Sequence, residues 1–296
     1  MLRLLQKGFN YSQDGPGNRL VYHLQGCNLH CPWCSNPESM APLGSLLVTD
    51  AARLRPDACP YGAISAAALN REVCRNCGTY PCTQMPGSGI RLTGTPIPEE
   101  EVLEEAERCR PLFFDGGGVT FTGGEPTLQW DALSSLLRAL HGRGVHTAIE
   151  TNGTHPRLPT LFPFIGHLIL DVKHYDPRRH REVVGPGLEQ IRKNFQAALA
   201  EREQVAVRIP LIGGFNAGEE DAAAFAAFFK GAAADGGVSL PGGLTVELLP
   251  YLEYGRDKWA QCGMQYVMGE EAFVGNAQAA RFAAILRDNG LTVLRT

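Results

Sequence analysis

A surplus of positive charge is missing from this sequence: 27 Lys and Arg stand against 31 Asp and Glu, a formal net charge of −4. That removes the electrostatic footprint of a nucleic-acid binder and the polybasic patch of a protein held at a membrane surface. Long apolar runs are missing too. The opening stretch MLRLLQKGFNYSQDGPGNR lacks the apolar segment of a signal peptide, and nothing later reaches the roughly twenty apolar residues of a membrane span. A cytoplasmic address is the expectation, and any macromolecular partner is expected to be a protein. With 44% hydrophobic and 20% charged residues, the 296-residue chain reads as globular, long enough for one large domain or two modest ones.

What the chain does have is cysteine, nine in all, an odd number. In a reducing compartment clustered cysteines point to metal rather than to disulfides. Cys27, Cys31 and Cys34 fall in one loop, GCNLHCPWCSNPES, with C-x3-C-x2-C spacing. Three thiolates leave one position of a metal centre without a protein ligand, which separates a catalytic site from a structural one. A zinc site completed by His23 or His30 is the alternative. A second set, Cys59, Cys74, Cys77 and Cys82, supplies four thiols. These suit a structural zinc or one [4Fe–4S] cluster, and the ferredoxin-like CPYGAI after Ala58 favours iron. Cys109 and Cys262 have no partners at ligand spacing and read as packed or free thiols.

Short apolar segments alternate with helical ones along most of the length. Strands are expected at 19–26, 118–124, 145–153, 167–173, 205–211 and 244–250, with helices at 131–144, 188–203 and 219–234 between them. This is an α/β pattern, and six such units predict an open, partial (β/α)6 TIM barrel with its chemistry at the C-terminal strand ends. Residues 46–91 break the rhythm, being rich in Cys, Pro and Gly without a strong strand. They read as a small inserted domain needing a metal to hold it together, inside a core formed by 1–45 and 92–296.

The cysteine loop with an aromatic, Trp33, before its third thiol resembles the signature of radical S-adenosylmethionine (SAM) enzymes. Six further stretches, YSQDGPGNR, GGGVTFTGGEPTLQ, ETNG, LDVKHYDPRRHREVVG, RIPLIGGFN and ELLPYLEYGRDKW, resemble in order the motifs of glycyl-radical enzyme activating proteins, the family of pyruvate formate-lyase activating enzyme. The resemblance covers residues 10 to about 260. It implies a radical SAM barrel with a ferredoxin-like iron–sulfur insert. It implies also that SAM chelates the open iron of a [4Fe–4S] cluster on Cys27, Cys31 and Cys34, and that reductive cleavage gives a 5′-deoxyadenosyl radical. That radical would take a hydrogen from a backbone glycine of a partner, a glycyl-radical enzyme. An auxiliary [4Fe–4S] cluster on the second cysteine set, a reductant such as flavodoxin or ferredoxin, and a monomeric state complete the expectation.

Residue by residue, the resemblance places Gly123, Gly124 and Glu125 at the SAM amine and Trp33 beside the adenine, with Cys34 and Ser35 adjoining. It sets oxygens of Glu150, Thr151 and Asp171 around a monovalent cation that touches the SAM carboxylate, with Asn152 and Val172 among the cofactor-binding residues beside them. Lys173 and Arg208 become the catalytic candidates, as contacts to SAM or to the glycine loop. Without the resemblance, TGGEP is a tight turn, Trp33 a shield for a cluster, Lys173 one half of an ion pair with Asp171 or Glu150, and Arg208 a buried structural arginine. His174 and His180 read as structural. Two departures stand out: Leu252 replaces a frequent His, and the insert has four cysteines where many relatives have eight. A radical SAM enzyme acting on a small molecule, a ferredoxin-like electron carrier and a zinc-stabilised binding module are the competing readings.

Overall fold

Side-chain alternation within the strands decides the architecture. In Val205–Leu211, Val207 and Ile209 are fully buried in the apolar core while Arg208 between them forms ion pairs. In a strand, successive side chains point to opposite faces, so one face here packs and the other is polar. The computed structural model describes residues 1–66, 68–238, 240 and 243–294.

In chain order the strands are β1 (Leu2–Tyr11), β2 (Asn18–Leu24), β3 (Leu46–Val48), β4 (Ile90–Leu92), β5 (Thr95–Ile97), β6 (Gly118–Gly123), β7 (Thr147–Thr151), β8 (His167–Asp171), β9 (Val205–Leu211), β10 (Leu244–Pro250) and β11 (Thr292–Val293). The helices are α1 (Arg71–Cys74), α2 (Glu99–Cys109), α3 (Trp130–Gly142), α4 (Pro177–Val183), α5 (Leu188–Glu201), α6 (Glu219–Asp235), α7 (Arg256–Gln261) and α8 (Asn276–Asp288). The main sheet has the order β11-β10-β9-β8-β7-β6-β2-β1-β5. From β2 through β6 to β11 every pairing is parallel, whereas β1 lies antiparallel to both β2 and β5. The six expected strands are all present, as an open run of βα units.

Strand β1 was not expected, because LRLLQKGFNY carries charge and glycine where a buried strand would be apolar. Its residues pair in hairpin register with β2, from Leu4 opposite Leu24 to Tyr11 opposite Asn18. The helices cover the outer face: Leu133, Leu136 and Leu137 of α3, Ile191 and Phe195 of α5, and Phe225 and Phe229 of α6 join one apolar core with the strands. Within 46–91, β3 and β4 pair antiparallel across the segment's two ends. A small separate core there gathers Leu46, Leu54, Ala63, Ile64 and Ile90 around Cys74 and Cys82, with Cys59 against it.

The inner face of the open barrel is polar. Arg19 is fully buried and donates to Thr120 Oγ1 at 2.6 Å, Val119 O at 2.9 Å, Pro16 O at 3.0 Å and His146 Nδ1 at 3.1 Å. It pins the β1–β2 turn into the lumen, where Thr120 Oγ1 donates to Asp14 O at 2.8 Å. Gly17 sits at φ +67°, and a Cβ there would run into the backbone of Phe114 and Asp115, so the turn requires glycine at that point.

His180, fully buried, engages the Gly185 carbonyl through Nδ1 at 2.8 Å, and no partner is found for its Nε2 among the described residues. Burial pushes it down from 6.5 to about 4, because protonation would place an unpaired charge in the interior. The unfolded chain therefore binds this proton more readily than the folded one, and stability falls as pH drops from 6.5 toward about 4. The expected slope from a fully buried histidine is up to about 1.4 kcal/mol per pH unit. Urea unfolding at a series of pH values measures it, and His180→Gln should lessen the slope in that window, to which His146 and His167, depressed likewise by burial, also contribute.

Candidate active site

The site is assembled where β2 and β6 end. Gly124 N donates to Leu24 O at 2.9 Å and Glu125 N to Gly26 O at 2.7 Å, so the turn after β6 is laced to the start of the cysteine loop. Gly123 has φ +114°; a Cβ on it would overlap the Leu24 amide, and one on Gly124 would overlap Gly26 O. These two glycines are thus needed first for backbone-to-backbone approach, and both also face the cavity between the thiols.

Further bonds fix the cysteine loop. Gly26 N donates to Ser39 O at 2.7 Å, His30 N to Val184 O at 2.8 Å, and Cys34 N to Cys31 O at 3.1 Å. Asn152 Nδ2 donates to Asn28 Oδ1 at 2.9 Å, and Asn28 Nδ2 to Thr154 Oγ1 at 2.8 Å. Helix α7 holds the far side: Trp259 Nε1 donates to Cys34 O at 2.9 Å, and Lys258 Nζ reaches Asn36 Oδ1 at 2.6 Å and Glu38 at 3.2 Å. Neither Lys258 nor Trp259 was assigned a role from the sequence. Only the lysine and tryptophan within a Gly-Arg-Asp-Lys-Trp run hinted at an anchor.

Cys27, Cys31 and Cys34 line one cavity of about 90 Å³, walled otherwise by Gly123, Gly124, Asn152, Asp171 and Lys173. Among the described residues no fourth cysteine lines it. His30 lines, with Cys27, a larger cleft of about 550 Å³, and neither His30 nor His23 lines the cavity shared by the three thiols. Among the described residues no three His, Cys, Asp or Glu side chains are arranged to close on a single ion. A cubic iron–sulfur cluster spreads its thiolates wider than one ion does, through the bridging sulfides. The donor set fits such a cluster with one iron left open. Leu29 N also donates to Cys27 Sγ at 3.4 Å, the backbone-to-sulfur bond that tunes cluster potentials. Without metal, burial pushes Cys27 up to about 11 and Cys31 higher still. Loading a metal must therefore displace protons.

The insert's thiols also gather. Cys74 and Cys82 are buried, and each lies within electrostatic reach of Cys59 and Cys77. Ala63 N donates to Cys59 Sγ at 3.3 Å. The 550 Å³ cleft runs between the two sets, with Cys27 on one wall and Cys74 on the other, beside Met40, Arg71 and Cys262.

The remaining candidates divide sharply. Lys173 Nζ faces the thiol cavity and lies 3.1 Å from Asp171 Oδ2. Burial pulls its ammonium down, but Asp171 and the neighbouring thiols outweigh that, and its pKa is raised. Arg208 does not reach the cavity. Its Nη1 lies 2.7 Å from Glu150 Oε1, its Nε 2.6 Å from Glu247 Oε2, and its Nη2 donates to Gln13 O. Glu125 is completely buried and accepts from Thr127 N at 3.0 Å, Thr151 Oγ1 at 2.7 Å and Asn152 N at 2.7 Å. Here it ties the turn after β6 to the end of β7. Trp33 packs on Phe215 with ring centroids 5.1 Å apart, near Ile212 and Tyr251. Ser35 abuts Gly255, and Val172 is buried in the main core. His174 is satisfied by Phe215 O and the Asp176 amide. Leu252 is exposed, as is Tyr254 two residues on.

Comparison with known proteins bears on this geometry. Residues 21–226 match the model of the Radical SAM superfamily. An isethionate sulfite-lyase activating enzyme from Nitratidesulfovibrio vulgaris is 35% identical over 275 residues, 87% of this chain and 86% of that protein. A 4-hydroxyphenylacetate decarboxylase activating enzyme from Clostridioides difficile is 29% identical over 94% of this chain and 90% of its own. A radical SAM methyltransferase structure from Sphaerobacter thermophilus aligns with a TM-score of 0.55 at 16% identity, covering 97% of this chain and 67% of that one. That last likeness concerns the fold alone.

Replacing Glu125 by Gln would turn an amide N–H₂ toward donors that now meet a carboxylate. The expected cost is about 2–4 kcal/mol of stability in the metal-free chain, read by urea unfolding. A variant of unchanged stability would mean that these bonds do not brace the turn.

Proposed function

The chain belongs to the radical SAM superfamily, and on that premise we propose that it is an activating enzyme that installs a glycyl radical on a partner enzyme. The observation that carries this reading is the convergence of three thiols, without a fourth, on a cavity at the strand ends. A [4Fe–4S] cluster bound there would supply the electron for reductive cleavage of SAM at its sulfonium C5′–S bond, the chemistry that leads to hydrogen abstraction from a glycine.

The chain's own residues do the rest. Cys27, Cys31 and Cys34 would hold the cluster, and with no further thiol at that cavity SAM would bind there by its amino and carboxylate groups. Lys173, charged and facing that cavity, attracts and orients the carboxylate. Gly123 and Gly124 leave room at the amine, and Trp33 with Ser35 closes the loop side, shielding the centre from water. A primary carbon radical abstracts from almost any nearby C–H bond, so position rather than reactivity has to select its target. The sheet is open between β5 and β11, and that opening is the route by which a flexible glycine loop reaches the strand ends. Cys59, Cys74, Cys77 and Cys82 hold an auxiliary [4Fe–4S] cluster in a ferredoxin-like insert, 46–91. Flavodoxin or ferredoxin is the reductant, and the protein works as a cytoplasmic monomer.

Anaerobic reconstitution should load about eight irons per chain, and replacing Cys27, Cys31 and Cys34 together should leave roughly half of them and abolish SAM cleavage. Stoichiometric zinc without iron would refute both cluster assignments. With SAM and a strong reductant, 5′-deoxyadenosine should form and a glycyl doublet should appear in the electron paramagnetic resonance spectrum of the partner. Deoxyadenosine without any protein radical would transfer the assignment to small-molecule chemistry. Lys173→Ala should slow SAM cleavage while leaving the iron content unchanged.

A further inference from the structure

The family resemblance sets oxygens of Glu150, Thr151 and Asp171 around an alkali cation, but both carboxylates and the threonine hydroxyl already have partners in the chain itself. Glu150 Oε1 receives Arg208 Nη1 at 2.7 Å and Oε2 receives Thr122 Oγ1 at 3.0 Å. Asp171 Oδ2 receives Lys173 Nζ at 3.1 Å. Thr151 Oγ1 donates to Glu125 Oε1 at 2.7 Å and accepts from Gly153 N at 3.1 Å. The four ion-pair side chains are all at least three-quarters buried, with exposures of 9% and 15% for Arg208 and Glu150, and 14% and 22% for Lys173 and Asp171.

An alkali ion entering between Glu150 and Asp171 would compete with a guanidinium and an ammonium for the same carboxylates. Removing one partner from a buried pair leaves an unmatched charge, which is strongly unfavourable. The residue at position 150 makes this arrangement possible. The glutamate side chain is long enough to bridge from β7 to Arg208 on β9 and to Thr122 on β6 at once, which an aspartate, one methylene shorter, would not span. The carboxylates in excess of these two cations are Asp14 and Glu247, which share Arg208 at 3.8 Å and 2.6 Å. Asp14 adjoins Glu150 as well as Arg208, whereas Glu247 and the turn residue Gln13 border a separate cavity of about 210 Å³ that neither Lys173 nor the thiols line.

We propose that Arg208 and Lys173 stand in for the alkali cation, with Glu150 as the positioning residue that makes the substitution possible, so that SAM binding by this protein is independent of K⁺ and Na⁺. The proposal rests on the radical SAM reading above, and its test separates the two. SAM affinity of the reconstituted protein is measured by equilibrium dialysis in potassium chloride and in tetramethylammonium chloride at equal ionic strength. The melting temperature of the cluster-free chain is followed in the same two salts.

The expected result for the wild type is the same SAM affinity in both salts, and the same melting temperature. Glu150→Asp releases the bridge to Arg208 and opens the oxygens, and should bind SAM about fivefold more tightly in potassium than in tetramethylammonium. By linkage, SAM should then strengthen K⁺ binding to that variant by the same factor. The inference is overturned if the wild type itself shows such a potassium preference, or if Glu150→Asp remains indifferent to the salt. SAM failing to bind in either salt would instead overturn the functional reading on which the inference stands.

Discussion

Because Gly123 and Gly124 carry no Cβ, the end of β6 can lie directly against Leu24 and Gly26, and the first residues of the cysteine loop are held by backbone hydrogen bonds rather than by side chains. A loop fixed in that way has little freedom left to lose when it takes up a ligand. The ties that follow, from Asn152 to Asn28 and from Glu125 to Thr151, run outward from the same contact and bring the end of β7 into register with it. Any side chain at either glycine would push the two strand ends apart and dismantle the thiol cavity along with the turn.

Charge is sorted around this point. Apolar residues of the strands face the helices, while the lumen holds Arg19, Thr122, Glu150, Arg208 and Glu247, each answered by a partner. A closed barrel would fill such a space with packed branched side chains. Here the lumen is a scaffold of hydrogen bonds and ion pairs at low effective dielectric, where a misplaced charge is costly and geometry is correspondingly well defined. Lys173 differs from Arg208 in this respect. Both are ion-paired, but only the lysine faces the thiols, so it alone combines a buried charge with access to a ligand.

Much of this was legible in the chain before folding. The strands at 205–211 and 244–250 have the bounds their apolar runs suggested, and the three expected helices lie within a residue or two of their patterns. The convergence of Cys27, Cys31 and Cys34 followed from spacing, since three thiols within eight residues cannot be far apart. Less legible were contacts made across long stretches of chain. Strand β1 was hidden because its partner, not its own composition, makes it a strand. The turn-bracing role of Glu125 and the engagement of Arg208 with three carboxylates depend on which strands become neighbours. The anchoring of Cys34 by Trp259 spans 225 residues, and no local pattern records it.

Helix α7 has a consequence for the order in which the molecule can be made. It reaches Cys34, Asn36 and Glu38 through Trp259 and Lys258, while Arg71 of the insert donates to Gln261 O at 2.7 Å and to Leu46 O at 2.7 Å. One late segment thus braces both groups of cysteines, although those cysteines leave the ribosome first. Until residues 255–263 have emerged, neither group has its full set of supports, and early thiols stand in a half-built mould. The supports of the two cysteine groups are thereby completed by one of the last segments of the chain to be made.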